Sequence, residues 1–165
     1  MALEIERKFL LRETGIVKGL TGQFIAQGYL SLDPDATVRV RIIDSAGFLT
    51  VKGRNQGAVR KEFEYPIPLA DARELLSLCK EGRIEKRRYT IAWADHIWEV
   101  DVFDGDNKGL VMAEVELRSE NEKLALPPWI GREVTEDPRF FNSSLATKPY
   151  SRWKNFAPSP QRPVG

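Results

Sequence analysis

Along most of the chain, apolar and charged residues alternate. In LEIERKF, Glu4, Glu6 and Lys8 share one parity and Leu3, Ile5 and Phe9 the other, with Arg7 the exception. A strand turns successive side chains to opposite faces, so such a run predicts a strand with one charged and one apolar face. The pattern recurs over 23–32, 37–44, 47–54, 60–67, 82–93, 96–103 and 110–118, mostly across hairpin-length turns such as Ser45-Ala46-Gly47 and Ala94-Asp95. Helical spacing is scarce. Leu75, Leu76, Leu78 and Cys79 predict a helix over 69–82, stopped at Gly82. Ser119 with Glu122 three residues on predicts a capped helix over 119–126, ended by Pro127-Pro128. A short helix is expected within 142–153, broken near Pro149. The fold class is therefore mainly β with a few helices (α+β), in one domain over 1–153, and the tail 154–165 reads as flexible.

The charged faces are sorted by sign. Arg39/Arg41, Lys52/Arg54 and Lys86/Arg88 are cationic pairs, whereas Glu62/Glu64, Glu99/Asp101 and Glu114/Glu116 are anionic. One solvated sheet face accounts for charges on any single strand. It does not account for the sorting, because like charges side by side repel and a surface optimised for stability would interleave them. Eight antiparallel strands can close into a barrel, and with the charged face inward the lumen becomes a tunnel lined by cations and carboxylates. Arg and Lys neutralise phosphate oxygens, and Glu pairs hold Mg²⁺ or Mn²⁺, which also ligate phosphate. Such a lining suits an oligophosphate carrying divalent metal, with Glu4 and Glu6 as metal ligands and Lys8 as a phosphate contact.

Composition narrows this further. Across 165 residues the net charge is +1, which argues against a dedicated nucleic-acid binder. The single Cys79 and single His96 exclude a disulfide framework and any Cys- or His-rich metal site, so a bound metal needs oxygen ligands and is a hard cation. No apolar run is long enough for a membrane span or resembles a leader, so a cytoplasmic protein is expected. Asp104–Gly109 begins like a calcium loop but fails at Lys108 and Val115. Neither a P-loop nor an HExxH motif occurs. His96 reads as a surface residue, and Cys79 and the four tryptophans as core or helix-covering residues.

The ordered set Glu4-Ile5-Glu6-Arg7-Lys8, Gln27-Gly28-Tyr29-Leu30, Val38-Arg39-Val40-Arg41, Thr50-Val51-Lys52, Glu62-Phe63-Glu64-Tyr65, Glu85-Lys86-Arg87-Arg88-Tyr89, Val100-Asp101-Val102-Phe103 and Glu114-Val115-Glu116 resembles the CYTH superfamily, the triphosphate tunnel metalloenzymes. The stretch 127–146 is similar to the end of its short bacterial members, and the likeness runs from about residue 2 to 150. It implies a closed eight-stranded antiparallel tunnel and metal-dependent action, with Mg²⁺ or Mn²⁺, on a small-molecule triphosphate. By this likeness Glu4, Glu6, Glu114 and Glu116 bind the activating metal. Glu62, Glu64 and Asp101 serve a second metal or position the attacking water. Lys8, Arg39, Arg41, Lys52, Lys86 and Arg88 bind phosphates, with Arg54 a weaker match, Tyr29 beside them, and Glu99 near the rim. Lys52 or Lys86 is a conceivable general base. The short bacterial members favour hydrolysis of inorganic triphosphate (tripolyphosphate) to pyrophosphate and phosphate. The alternatives are a class IV-type adenylate cyclase, a nucleoside or thiamine triphosphatase, and a non-catalytic polyphosphate- or nucleotide-binding module. Carboxylates sharing the lumen argue against the last, since they weaken polyanion binding.

Overall fold

Alternation builds the strands where it was expected. The computed structural model describes residues 3–79 and 82–153, so the tail expected over 154–165 lies outside the described residues. In chain order the elements are β1 (Leu3–Leu11), β2 (Gln23–Ser31), β3 (Thr37–Ile43), β4 (Ala46–Lys52), β5 (Val59–Ile67), α1 (Leu69–Ser77), β6 (Ile84–Trp93), β7 (His96–Phe103), β8 (Val111–Glu116), β9 (Ile130–Glu133) and α2 (Asn142–Thr147). All the pairings are antiparallel, in the order β5-β4-β3-β2-β6-β7-β8-β1, and β5 returns to β1 to close an eight-stranded barrel.

The closing seam is short. Only Leu3, Glu4 and Ile5 of β1 pair with β5, opposite Lys61, Arg60 and Val59. Farther along, the same edge of β1 is taken by β9, from Phe9 to Leu11. Between them Glu6 N–H donates to Ala58 O, Lys8 N–H to the Thr135 hydroxyl, and Val134 N–H to Lys8 O. The extra strand β9 thus covers an edge that β5 leaves.

The barrel is polar inside and apolar outside, so its outer face needs cover. Phe9, Trp98, Val100, Val115, Trp129 and Ile130 form one external cluster. The inner helical face of α1 sets Ala72 and Leu76 on Val40 of β3. A third cluster lies at one end of the lumen. Leu10, Phe103 and Met112 continue the parity of Lys8, Asp101 and Glu114, and meet Phe140 and Leu145 of the chain entering α2. They form an apolar floor over part of the barrel.

Two helical expectations change. Helix α1 ends at Ser77, with Leu78 as its C-cap. Segment 119–126 makes one turn, Glu122 N–H to Ser119 O, and then runs without helix. The Glu122 carboxylate does turn back, but to Arg118 N–H, at 2.7 Å, and to His96. Eight residues ending at Pro127-Pro128 are too few to offset helix nucleation, and Leu124 packs on the barrel wall instead. Over 142–153 the expected break is present: α2 ends at Thr147 and a 3-10 turn follows from Tyr150 to Arg152.

Gly28 lets α1 close on the barrel. A Cβ there would lie 2.7 Å from Cys79 Sγ and 3.0 Å from Cys79 Cβ. Gly28→Val is expected to cost about 1–3 kcal/mol by overpacking, read as a lower thermal midpoint. Adding Cys79→Ala should recover part of the loss. An unchanged midpoint would show that α1 does not depend on this contact.

Candidate active site

Register decides which charges meet. Across β1 and β8, Glu6 faces Glu116 and Lys8 faces Glu114. Glu99 faces Glu114 across β7 and β8, and Arg88 faces Asp101 across β6 and β7. On the other wall Gln27 faces Arg41, Tyr29 faces Arg39, Thr50 faces Glu64 and Lys52 faces Glu62. All of these side chains except the buried Gln27, Thr50 and Asp101 line a cavity of about 230 Å³ that also meets Phe141, Asn142 and Ser143. All the expected site residues except Arg54 and Lys86 lie on this lining or, for Asp101, against it. Glu99 sits at the rim with its carboxylate 43% exposed, as expected.

Arg54 is not brought to the lumen. β4 ends at Lys52, Gly53 N–H continues the ladder to Lys61 O, and Arg54 leaves the strand to pair with exposed Asp35. The alternation that assigned it fails because the strand stops before it. Lys86 is fully buried beneath the lining, 2.8 Å from Asp101, with its ammonium also donating to Asn142 Oδ1 at 3.0 Å.

Much of the sorted charge is satisfied across strands. Lys8 pairs with Glu114 at 3.6 Å and Arg39 with Glu64 at 3.5 Å. Lys52 lies between Glu4 at 2.8 Å and Glu62 at 3.2 Å. Arg88 grips Asp101 through Nε and Nη2 at 2.8 and 2.9 Å and reaches Glu99 at 3.3 Å. Asp101, expected beside a second metal or the attacking water, is instead committed to Lys86 and Arg88. Burial would raise its carboxyl, yet those two cations hold it far below the usual range.

What remains unsatisfied defines the chemistry. Arg39 Nε is buried without an acceptor among the described residues. Arg41 donates to Gln27 Oε1 at 2.9 Å and has no ion pair with a carboxylate among the described residues; burial, with Arg39 and Arg88 nearby, lowers it to about 9. Glu6 is pushed up to about 8 by burial, then by Glu114 and Glu4. Burial also raises Glu4, despite Lys52. The lumen is thus short of anionic oxygens at Arg39 Nε and Arg41 and short of positive charge at Glu6. Lys52 is held protonated, because Glu4 and Glu6 outweigh the burial that would lower it. Burial lowers Lys86 to about 7, but its ammonium lies under the lining on Asp101 and Asn142, away from the open cavity. Lys52 is thus engaged by Glu4 and Glu62, and Lys86 by Asp101 and Asn142.

The donor set fits a hard cation. Glu4, Glu6, Glu114 and Glu116 offer only oxygen, and Glu6 lacks a compensating charge. Among the described residues no three carboxylates already converge as a closed cage. Mg²⁺-type sites take one or two carboxylates and complete their shell with water and phosphate oxygens, so an incomplete protein cage is what a substrate-sharing metal needs.

Sequence reasoning missed Arg60, which shares the parity of Glu62 and lines the cavity, and Asn142, which binds both Lys86 and Gln27. The parity of Arg60 was legible, and Asn142 carried no signal.

Glu114 sets an acid limit. Burial alone would raise it, but Lys8 and Arg88 outweigh burial and bring it to about 2. A carboxyl lower in the folded than in the unfolded state adds stability above its unfolded pKa, ordinarily 4.5, and loses it as pH falls toward 2. Thermal midpoints should therefore drop steeply from pH 5 to pH 3, as about one to two pKa units of acid stabilisation are lost. The drop should be shallower in Glu114→Gln; equal slopes would contradict this pairing.

Three comparisons bear on this site. A family model described as the CYTH domain matches residues 2–150. An inorganic triphosphatase of Acetivibrio thermocellus is 46% identical over 155 residues, covering 93% of this chain and 99% of that protein. One from Nitrosomonas europaea is 38% identical over 147 residues, covering 87% and 96%. A solved crystal structure of an inorganic triphosphatase superposes with a TM-score of 0.63 at 35% identity, over 86% of this chain and 96% of that one.

Proposed function

The chain belongs to the CYTH domain family, and from that premise we propose that it is a divalent-metal-dependent hydrolase that cleaves inorganic triphosphate to pyrophosphate and phosphate. The observation that carries this reading is the unmet demand of buried Arg39 Nε and of Arg41, which has no carboxylate partner among the described residues, for anionic oxygen inside a small cavity. The two curated relatives, both named inorganic triphosphatases, support it.

In this reading Lys8, Arg39, Arg41, Lys52 and Arg88 bind phosphoryl oxygens, with Tyr29 beside Arg39. Glu4, Glu6, Glu114 and Glu116 hold the metal, Mg²⁺ or Mn²⁺, which when bound neutralises phosphate charge and polarises the phosphoryl group. Glu62 and Glu64 face the lumen near Lys52 and Thr50 and orient the attacking water as hydrogen-bond acceptors. Water oxygen bonds to the terminal phosphorus, the bridging P–O bond breaks, pyrophosphate leaves, and one water proton passes to solvent at neutral pH. Asp101 fixes Lys86 and Arg88, so the cationic wall is set before substrate arrives. The seven carboxylates on the lining nearly cancel its six cations. A bare polyanion therefore gains little from the lumen, and metal supplies the missing positive charge. No described helix is long and apolar enough to cross a membrane, and the free thiol of Cys79 fits a reducing cytoplasm.

A substrate panel tests the reading. Phosphate release with Mg²⁺ should be fastest from tripolyphosphate and much slower from ATP and thiamine triphosphate. Formation of cyclic AMP from ATP, with tripolyphosphate left intact, would move the protein to the cyclase class.

A further inference from the structure

Beside the lumen, past Thr37, lies a second cavity of about 510 Å³ with Leu32, Pro34, Pro138 and Phe141 on its walls. Thr37, Arg60 and Ser143 line both spaces, so the two adjoin. Arg60 stands at the junction on β5, two residues before Glu62 and on the same face. Its Nε donates to Gly53 O at 2.6 Å and its Nη2 to the Thr37 hydroxyl at 3.2 Å. Those bonds fix the plane of the guanidinium. Among the described residues its Nη1 donors have no hydrogen-bond partner, and no carboxylate forms an ion pair with it. The nearest acidic wall residues are already engaged, Glu4 and Glu62 by Lys52.

A fixed guanidinium fork with a free edge and no carboxylate is built to receive an oxyanion. The charge of Glu136, which also lines the second cavity, is exposed and forms no ion pair with Arg60 among the described residues. Beyond Arg60 the space is roomy, and its other cation, Arg54, is paired with Asp35, so sterics do not exclude a substituent on the phosphate lying there. Charge does discriminate. Either phosphate offers the fork two oxygens, but a free terminal phosphate carries a second negative charge and a substituted one a single charge.

We propose that Arg60 binds the free terminal phosphate of the substrate at this junction and selects inorganic triphosphate over triphosphates substituted at that end. The inference rests on the tripolyphosphatase reading. It also supplies, from β5, the cation that sequence alternation assigned to Arg54 on β4.

The test compares kcat/KM for tripolyphosphate and ATP in wild type, Arg60→Met and Arg60→Lys, with thermal midpoints beside them. Loss of a charge-assisted contact should lower the tripolyphosphate value roughly 10- to 100-fold and the ATP value by a clearly smaller factor. Arg60→Lys should recover part of the loss, since it keeps the charge without the fork. Where ATP turnover is too slow to read, its inhibition constant against tripolyphosphate takes its place. An equal fall for both substrates with a lower midpoint makes Arg60 a structural tie for Gly53 and Thr37 and overturns the proposal, as does no change for either. Wild-type protein inert toward tripolyphosphate would sink the functional reading instead. Calorimetric binding of tripolyphosphate to wild type and Arg60→Met then still decides whether Arg60 holds the anion: equal affinities overturn the proposal, and weaker binding to the variant upholds it.

Discussion

Asp101→Ala is expected to cost about 3–5 kcal/mol of folding stability and to remove most activity. Asp101 is 1% exposed and is shared by Lys86 and Arg88, each 2.8 Å away. Removing it leaves two buried cations facing each other, with only Asn142 on Lys86 and the half-exposed Glu99 on Arg88. Burial already lowers Lys86 to about 7 with Asp101 present. Without Asp101, Lys86 should shed its proton near neutrality, and Arg88 should lose the bidentate grip that aims it. The prediction is a much lower urea midpoint at pH 6, with part of the loss regained at pH 9, where neutral Lys86 no longer needs a partner. A midpoint equal to wild type at pH 6 would mean that the pair is not the clamp described here.

Glu6→Gln is expected to do the opposite to stability and the same to activity. Glu6 faces Glu116 across the β1–β8 ladder, stands near Glu4 and Glu114, and has no ion pair among the described residues. Burial and its like-charged neighbours push it up to about 8, above an ordinary glutamate. A carboxyl raised in the folded state costs stability as pH climbs from the unfolded pKa toward the folded one. In EDTA at pH 8 the amide should therefore unfold no earlier than wild type, and its midpoint should change less between pH 5 and pH 8. Turnover with metal should fall at least ~100-fold, the scale of losing one preorganised charge stabiliser. Full activity in Glu6→Gln would remove Glu6 from the metal set. A large stability loss in EDTA would mean that it is already neutralised within the protein. The opposite stability effects separate a carboxylate that holds the barrel together from one that waits for a cation.

The eight barrel strands were legible because apolar and polar positions alternate along most of their length, and the lumen face could be read from Glu4, Arg39, Glu62 and Glu114 alone. The sorting of sign had two causes, and alternation could not separate them. Register turns Lys8, Lys52 and Arg88 toward carboxylates on neighbouring strands, and among the described lining residues Arg41, Arg60, Glu6, Glu116 and part of Arg39 are left for external partners. Register depends on where β1 leaves β5 for β9, and β9 has four residues, Ile130–Glu133, too few for periodicity to find. The floor was hidden for a related reason. Leu10, Phe103 and Met112 lie on the lumen parity but are apolar, so a rule that followed charge stopped one step above them. Arg54 failed in the other direction, because parity was extended past the end of β4. The helix expected over 119–126 had a cap and an apolar residue but too few turns, and the wall of the barrel offered Leu124 a better site.

The central claim is that this lumen binds triphosphate and cleaves it only when a divalent cation supplies the charge that Glu6 lacks. The direct measurement is the amount of orthophosphate and pyrophosphate formed from tripolyphosphate, in Mg²⁺, in Mn²⁺ and in EDTA, for wild type and a Glu114→Ala/Glu116→Ala variant. Equal amounts of the two products with metal, none in EDTA and none from the variant are the predicted result. Turnover that persists in EDTA, or tight binding without turnover in any metal, would contradict it.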